Sequence, residues 1–352
     1  MTVLDGKRGF ESDNCSSVHP RIMQALKDVN IGHASGYGYD PVTKEADKIF
    51  DELFGRHVDV FYTFNGTGTN CAALAHLIKP AQTIVCADNA HINSAETGAI
   101  ERMSSCKITA LKTYGGIITS DTLLEYVEGW MSEHTPAPAI LSLTQVTDSG
   151  FVYSTDELKE LCSIAHKYGM VVHMDGARLA NAVAANNNDL IGTTCGAGVD
   201  VLSFGGTKNG FMFGEAVVFF DPKLAYHFKY TRKSCGQLPS KMRYVAVQFI
   251  EALKDGLWLE MAHHSNDMAL KLYEKMKEVP CFRTPYKPQA NELFAFVDDS
   301  IKWEIMKEFP FNNFGPEPGI SRFVTAFDTT DEDIDAFLSY ASRLYTSINK
   351  GE

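Results

Sequence analysis

A chain of 352 residues, 45% hydrophobic and 22% charged, is long enough for two domains around a sizeable core, with no need of a disulfide or metal staple. Forty-four acidic residues against 32 basic ones leave a formal net charge of −12, which argues against a dedicated binder of nucleic acid or anionic membrane but not against a local pocket for one small anion. The cysteines at 15, 71, 86, 106, 162, 195, 235 and 281 form no Cys-x-x-Cys pair and no zinc spacing, so they read as reduced thiols of a cytoplasmic protein with no metal site. The opening "MTVLDGKRGFESDN" lacks an apolar signal-peptide core, and no apolar run approaches the roughly 18–20 residues that span a bilayer.

In chain order, "VDVFYTF" (58–64) is β-branched and aromatic and reads as a strand, broken by "NGTGTN" (65–70). "CAALAHLI" (71–78) is helical and closes at Pro80. "TIVCAD" (83–88) and "KITALK" (107–112) read as strands, "TLLEYVEGWMSE" (122–133) as an amphipathic helix and "AILSLTQ" (139–145) as a buried strand. "STDELKELCSIAHKYG" (154–169) is a marked helix, with Ser154 and Glu157 as a capping box and Gly169 as its stop. "MVVHMD" (170–175), "VDVLSFGG" (199–206) and "EAVVFFD" (215–221) complete a strand series. Alternating apolar strands and helices predict an α/β layer with a mostly parallel sheet covered on both faces, and ligands in such sheets gather at the carboxyl ends of the strands.

Residues 239–279 read as long helices joined near Gly256, followed by strand, helix, strand and helix at 291–297, 303–309, 321–327 and 331–348. Thr329 with Glu332 is the expected cap of the last helix. The organisation predicted is a large domain over 1–254, including the N-terminal segment, and a small C-terminal α+β domain over 255–352.

Three motifs fall at strand ends. "NGTGTN" offers tight glycine turns, helix-start amides and the Thr67 and Thr69 hydroxyls to a phosphate, although without a Walker lysine it also reads as a plain turn. "HMDGARLA" (173–180) ends a strand in Asp175, which is either a fixed anion facing a cationic heterocycle, with Arg178 near for a carboxylate, or a helix cap. "LSFGGTKNG" (202–210) sets Lys208 between glycines after a buried strand, where an amine partly withdrawn from water is a nucleophile, although most lysines are solvated surface charges. A phosphate cradle, then an aspartate, then a lysine about thirty residues on is a layout that suits pyridoxal 5′-phosphate (PLP).

With "SDN" (12–14), "GYGYDP" (36–41), "FNGTGTN" (64–70), "ADNAHI" (87–92) and "SRFVT" (321–325), these motifs span nearly the whole chain, which resembles the threonine aldolase group of the β-eliminating lyases, fold-type-I PLP enzymes. The resemblance implies that Lys208 is the Schiff-base lysine, that Asp175 pairs with the ring nitrogen, that Gly66, Thr67 and Gly68 hold the phosphate, and that His91 stacks on the ring. It implies Ser12, Arg178 and Arg322 at the substrate carboxylate, Tyr37 near the site across a subunit interface, and Arg232 reaching a neighbouring subunit's phosphate. The implied activity is cleavage of Cα–Cβ in β-hydroxy-α-amino acids, threonine giving glycine and acetaldehyde, in a homo-oligomer, dimer or tetramer, with its site shared between subunits. A relative breaking Cα–H, or a non-enzymatic amino-acid binder, are the alternatives. Some members of the group carry a second active-site histidine in the loop after "AILSLTQ"; here that loop is "QVTDSG" (145–150), which leaves the acceptor of the hydroxyl proton open between His91, a water and the cofactor phosphate, with His33 a further candidate. His263 and His264 read as structural.

Overall fold

The computed structural model describes residues 8–129 and 132–350. Ten strands form two sheets: β1 (Asp59–Thr63), β2 (Gln82–Ala87), β3 (Lys107–Leu111), β4 (Ala137–Thr144), β5 (Val171–Gly176), β6 (Val201–Phe204) and β7 (Glu215–Phe219) in the first, and β8 (Phe282–Arg283), β9 (Glu292–Val297) and β10 (Ser321–Val324) in the second. The order in the large sheet is β1-β7-β6-β5-β4-β2-β3. Strands β3, β2, β4, β5 and β6 are parallel; β7 is antiparallel to both β6 and β1. The strand-and-helix alternation thus yields the expected mostly parallel sheet between helices, with a small antiparallel sheet and two helices beyond it.

This topology concentrates chemistry on one edge. Two reversals make β1 run parallel to β6, so the carboxyl ends of β1, β4, β5 and β6 all face the same way. Reversed β7 presents its first residue, Glu215, opposite Thr63 on that edge. Behind the sheet, Phe249 is fully buried, with the rings of Phe211, Phe50, Tyr62 and Phe204 at 4.9, 5.4, 5.4 and 6.0 Å; burying side chains of this size is the main favourable term in folding.

The helix Leu257–Met276 joins two cores. Leu257, Trp258 and Met261 pack into the core of the large sheet, while Leu272 and Met276 pack with Leu293, Phe323 and Phe337 of the small one. Phe10 belongs to the second core, and its carbonyl accepts from the Val324 amide at 2.8 Å. The N-terminal segment is therefore strapped to the small sheet, which delivers Ser12 and Asp13 to the large one.

Two local readings differ from the structure. "NGTGTN" does not precede its helix but forms its first turn: the helix runs Gly66–Leu77 with Asn65 as N-cap. Asparagine at the cap satisfies one orphan amide, which outweighs the cost of two glycines in the first turn. The last helix, Asp331–Lys350, is capped one residue later than expected: the Thr330 hydroxyl accepts from the Asp333 amide at 3.2 Å, and the Asp333 carboxylate accepts from the Thr330 amide at 2.9 Å. The Thr329 hydroxyl instead accepts from the Ala326 amide in the preceding turn. The Ser154–Glu157 capping box is present, and Gly169 follows that helix at φ 72°. The helix expected over 122–133 runs Ser120–Gly129; residues 130 and 131 of that expectation, and residues 1–7 of the N-terminal one, lie outside the described residues.

The cap assignment is tested by substitution. Asp333→Ala should cost about 1 kcal/mol in urea denaturation. Glu332→Ala should stay within about 0.5 kcal/mol of the parent. The reverse order would restore the Thr329–Glu332 register.

Candidate active site

At the carboxyl edge lies a cavity of about 250 Å³ lined by Thr67, His91, Asp148, Asp175, Lys208 and Glu215, among others. A second, of about 310 Å³, adjoins it and is lined by Ser12 and Arg322 while sharing His91, Asp148, Arg178 and Lys208 with the first. The fold therefore brings together nine of the residues singled out above: Ser12, Gly66, Thr67, His91, Asp175, Arg178, Lys208 and Arg322 on the cavity walls and Gly68 in the helix turn beside them.

Asp175 stands at the end of β5. One carboxylate oxygen accepts from the Ala177 amide at 3.0 Å and the other from Asn70 Nδ2 at 2.9 Å. The second hydrogen of that amide goes to Glu96 Oε1 at 3.0 Å, and the same Glu96 oxygen meets His91 Nδ1 at 2.9 Å. One buried amide thus ties two carboxylates together, and a histidine closes the chain. The Glu96 hydrogen bond pushes the His91 pKa up, against its burial and with help from the Asp148 and Asp175 charges. Beneath Asp175, His173 is fully buried between the Ser142 and Ser203 hydroxyls at 2.9 and 3.0 Å; burial pushes its pKa down to about 4, so it is a neutral brace between β4, β5 and β6.

The glycine-rich turn is narrow for a steric reason. A Cβ on Gly68 would come within 2.0 Å of Gln237 Nε2, and Gln237 Oε1 accepts from the Phe64 amide at 3.0 Å. Asn65 Oδ1 accepts from the Gly68 amide at 2.8 Å, while the Gly66 and Thr67 amides, first in the helix, have no carbonyl in it to meet. Both threonines expected at a phosphate line the cleft, but the Thr69 hydroxyl is buried and bonded to Thr63 Oγ1 and the Asn65 carbonyl at 2.6 and 2.7 Å.

Both arginines are engaged with acids. Arg178 donates from Nε and Nη2 to Asp13 at 2.7 and 3.0 Å, a bidentate pair, and its Nη1 is 3.5 Å from Glu292. Arg322 Nη1 donates to the same Glu292 oxygen at 3.1 Å, its guanidinium lies 4.5 Å from the Phe314 ring centre, and its buried Nε has no partner among the described residues. Asp13 is fully buried, which pushes its carboxyl up, but the Arg178 and Lys208 charges and the bonds from Arg178 and Asn291 outweigh this and hold it below the usual range. Glu215, accepting from the Gly206 amide, is pushed up to about 7 by burial despite that bond, the Thr207 hydroxyl and the Lys208 charge.

The structure leaves two expected residues outside the cleft. Tyr37 is half exposed at φ 61°, with Lys233 Nζ 5.4 Å from its ring. Arg232 is turned into its own subunit: Nη1 donates to the Tyr62 carbonyl at 3.0 Å, and the guanidinium packs over Phe61. His33 is exposed; His263 meets Asn188, and His264 meets the Thr329 carbonyl, both at 2.7 Å. Asn70, Glu96, Asp148, Glu215 and Gln237 carry no role in the reading of the sequence. The available signals were an acid opening an apolar strand at 215 and an acid in the loop singled out for lacking a histidine.

A model of the beta-eliminating lyase family matches residues 9–300. The low specificity L-threonine aldolase of Pseudomonas sp. (strain NCIMB 10558) is 36% identical over 331 residues, covering 94% of this chain and 95% of that protein. The enzyme of the same name from Pseudomonas aeruginosa is 37% identical over 334 residues, covering 94% and 96%. Among solved structures, the threonine aldolase of Leishmania major superposes with a TM-score of 0.90 at 28% identity, covering 96% of this chain and 99% of that one.

If the Glu96 carboxylate sustains the raised pKa of His91, Glu96→Gln should lower it. The His91 ring-proton shift in an NMR titration between about pH 5 and 9 reads this directly. An unmoved midpoint would mean that the Glu96 bond does not hold the proton on His91.

Proposed function

The chain belongs to the beta-eliminating lyase family, and we propose that it is a PLP-dependent aldolase that cleaves the Cα–Cβ bond of threonine and related β-hydroxy-α-amino acids to glycine and an aldehyde. The observation that carries this reading is the meeting of Lys208 and Asp175 on one cavity, with a helix start at its wall, in a chain more than a third identical to threonine aldolases over nearly its full length.

The residues fit that cofactor. The Gly66 and Thr67 amides and the Thr67 hydroxyl would hold the phosphate, in a helix turn that packs at Gly68 against the Gln237 side chain. Asp175, anchored by Asn70 and the Ala177 amide, would stand against the pyridine nitrogen, where a fixed anion favours the protonated ring. His91, oriented by Glu96, would cover the ring, and Lys208 would carry the attachment. When bound, the cofactor supplies an acceptor for the electron pair of the bond broken at the substrate's α-carbon.

The chain's own residues decide which bond that is. Arg322, with its unpartnered Nε, and Ser12 face the second cavity and would bind the substrate carboxylate. Arg178, held by Asp13, would add its charge behind them. A carboxylate fixed in this way fixes rotation about the α-carbon; that the bond to the β-carbon is the one aligned for cleavage is supported by the kinship to threonine aldolases, since relatives breaking Cα–H would use the same groups. We place the protein in the cytoplasm, where its eight free cysteines would stay reduced, as a homo-oligomer. The exposed Tyr37, Tyr39 and Tyr230 support the assembly. No helix among the described residues is long and apolar enough to cross a membrane.

Purified protein with PLP and L-threonine should release acetaldehyde and glycine. Lys208→Ala should lose this by about 10³-fold or more, together with the visible absorbance of the bound cofactor. Cofactor absorbance with no acetaldehyde would favour Cα–H chemistry; no absorbance in either protein would favour a non-enzymatic binder.

A further inference from the structure

We propose that Asp148 is the group that takes the proton from the substrate's β-hydroxyl as the Cα–Cβ bond breaks. This rests on the aldolase reading above and answers the question left open by a loop without histidine.

The first argument is position. β4 ends at Thr144, directly paired with Asp175, and the Gln145 amide still donates to the Asp175 carbonyl at 2.8 Å. The loop 145–150 therefore leaves the sheet beside the ring-nitrogen site. Asp148, like Lys208, lines both the cavity that holds Asp175 and the adjoining one that holds Ser12 and Arg322. A substrate bound to the cofactor at Lys208 and to those carboxylate-binding groups would carry its β-hydroxyl along this shared wall.

The second is chemistry. Asp148 Oδ2 is buried and has no hydrogen-bond partner among the described residues, as is true of Glu96 Oε2 and Glu292 Oε2, but of these acids Asp148 is the one on the wall of both cavities; both oxygens of Asp13 and of Asp175 are bonded. A buried acceptor without a donor is costly unless a ligand supplies one, and a hydroxyl does. The charged groups around it are mixed: Lys208, His91 and Arg178 favour its anion, Glu292 and Asp175 oppose it, and burial is the largest influence, pushing its pKa up. A carboxylate raised toward working pH is a better proton acceptor than an ordinary one. His91 is engaged through Nδ1 by Glu96 Oε1 at 2.9 Å and, in the reading above, covers the cofactor ring.

The third is rigidity. The Gln145 side chain bonds the Tyr153 amide and carbonyl at 3.0 and 2.9 Å, Thr147 Oγ1 donates to the Gly115 carbonyl at 2.7 Å, and Ser149 Oγ accepts from Asn89 at 2.9 Å. Gly150, at φ 76°, lets the loop pass where a Cβ would come within 2.9 Å of Phe294. The loop on both sides of Asp148 is thus held in place before substrate arrives.

In the step itself, the β-hydroxyl proton passes to an Asp148 oxygen and the O–H electron pair becomes the second bond of the aldehyde carbonyl. The Cα–Cβ pair would stay with the α-carbon, where the cofactor, when bound, would supply its acceptor. A proton added to that carbon completes glycine, and Asp148 returns its own proton to solvent.

The test uses the holoenzyme and Asp148→Asn. Threonine cleavage should fall by about 10²–10⁴-fold. PLP affinity, melting temperature and the exchange of glycine's α-proton in D₂O, which involves no β-hydroxyl, should hold within about threefold of wild type or unchanged. Cleavage retained in the variant overturns the assignment, and so does an equal loss of cleavage and glycine exchange, which would mean a positioning role. If D148N fails to bind PLP, Asp148→Glu carries the test: the acid limb of its cleavage rate against pH should shift while glycine exchange persists, and an unmoved limb overturns the proposal. A wild type that exchanges glycine but releases no aldehyde overturns the aldolase reading, and this assignment with it.

Discussion

The cleft is organised by the need to find positive charge for buried carboxyl groups. Asp13, Glu96, Asp148, Asp175, Glu215 and Glu292 crowd around Lys208, Arg178 and Arg322. A carboxylate withdrawn from water is costly unless it is paired or hydrogen-bonded, and burial otherwise pushes its pKa up. Asp13 and Glu292 take the arginines, Asp175 and Glu96 share the Asn70 amide, and Glu215 and Asp148 answer burial with raised pKa values. What remains is an acid surplus that a protonated ring and a substrate ammonium would relieve.

The same charges hold the molecule together. The chain Asp13–Arg178–Glu292–Arg322 links the N-terminal segment, the end of β5 and both long strands of the small sheet. Removing one partner of such a buried set costs about 3–5 kcal/mol, because it strands the other charge. Stability and recognition therefore draw on the same residues. Arg178 is accordingly a wall of the cleft with its fork filled by Asp13, while Arg322 keeps a donor for a ligand.

The resemblance to threonine aldolases was legible because it lies in contiguous motifs. "HMDGAR" and "GGTKNG" each bind a strand end to its reactive residue, and local patterning places strand ends reliably. Asn70 and Glu96 were not legible: their roles arise from a three-way contact between segments 26 and 105 residues apart, and no spacing in the chain announces it. The cap at Thr330 was missed by one residue because two threonines are adjacent, and only the turn geometry decides which hydroxyl faces the helix. Arg232 sits in a basic run that suggests a solvated face, yet packing against Phe61 draws it inward.

The sequence by itself determined the alternation of apolar strands and helices, the residues at the strand ends, and through them the family. These are local properties, set by side-chain periodicity and turn chemistry within a few residues. The tertiary structure decided which of those residues share a cavity, which arginine keeps a free donor, and which acids keep an oxygen without a partner among the described residues. Pairing and desolvation depend on neighbours that the sheet order brings together, with β7 reversed between β1 and β6 and the N-terminal segment strapped to β10, and neither arrangement is written in any local stretch of the chain.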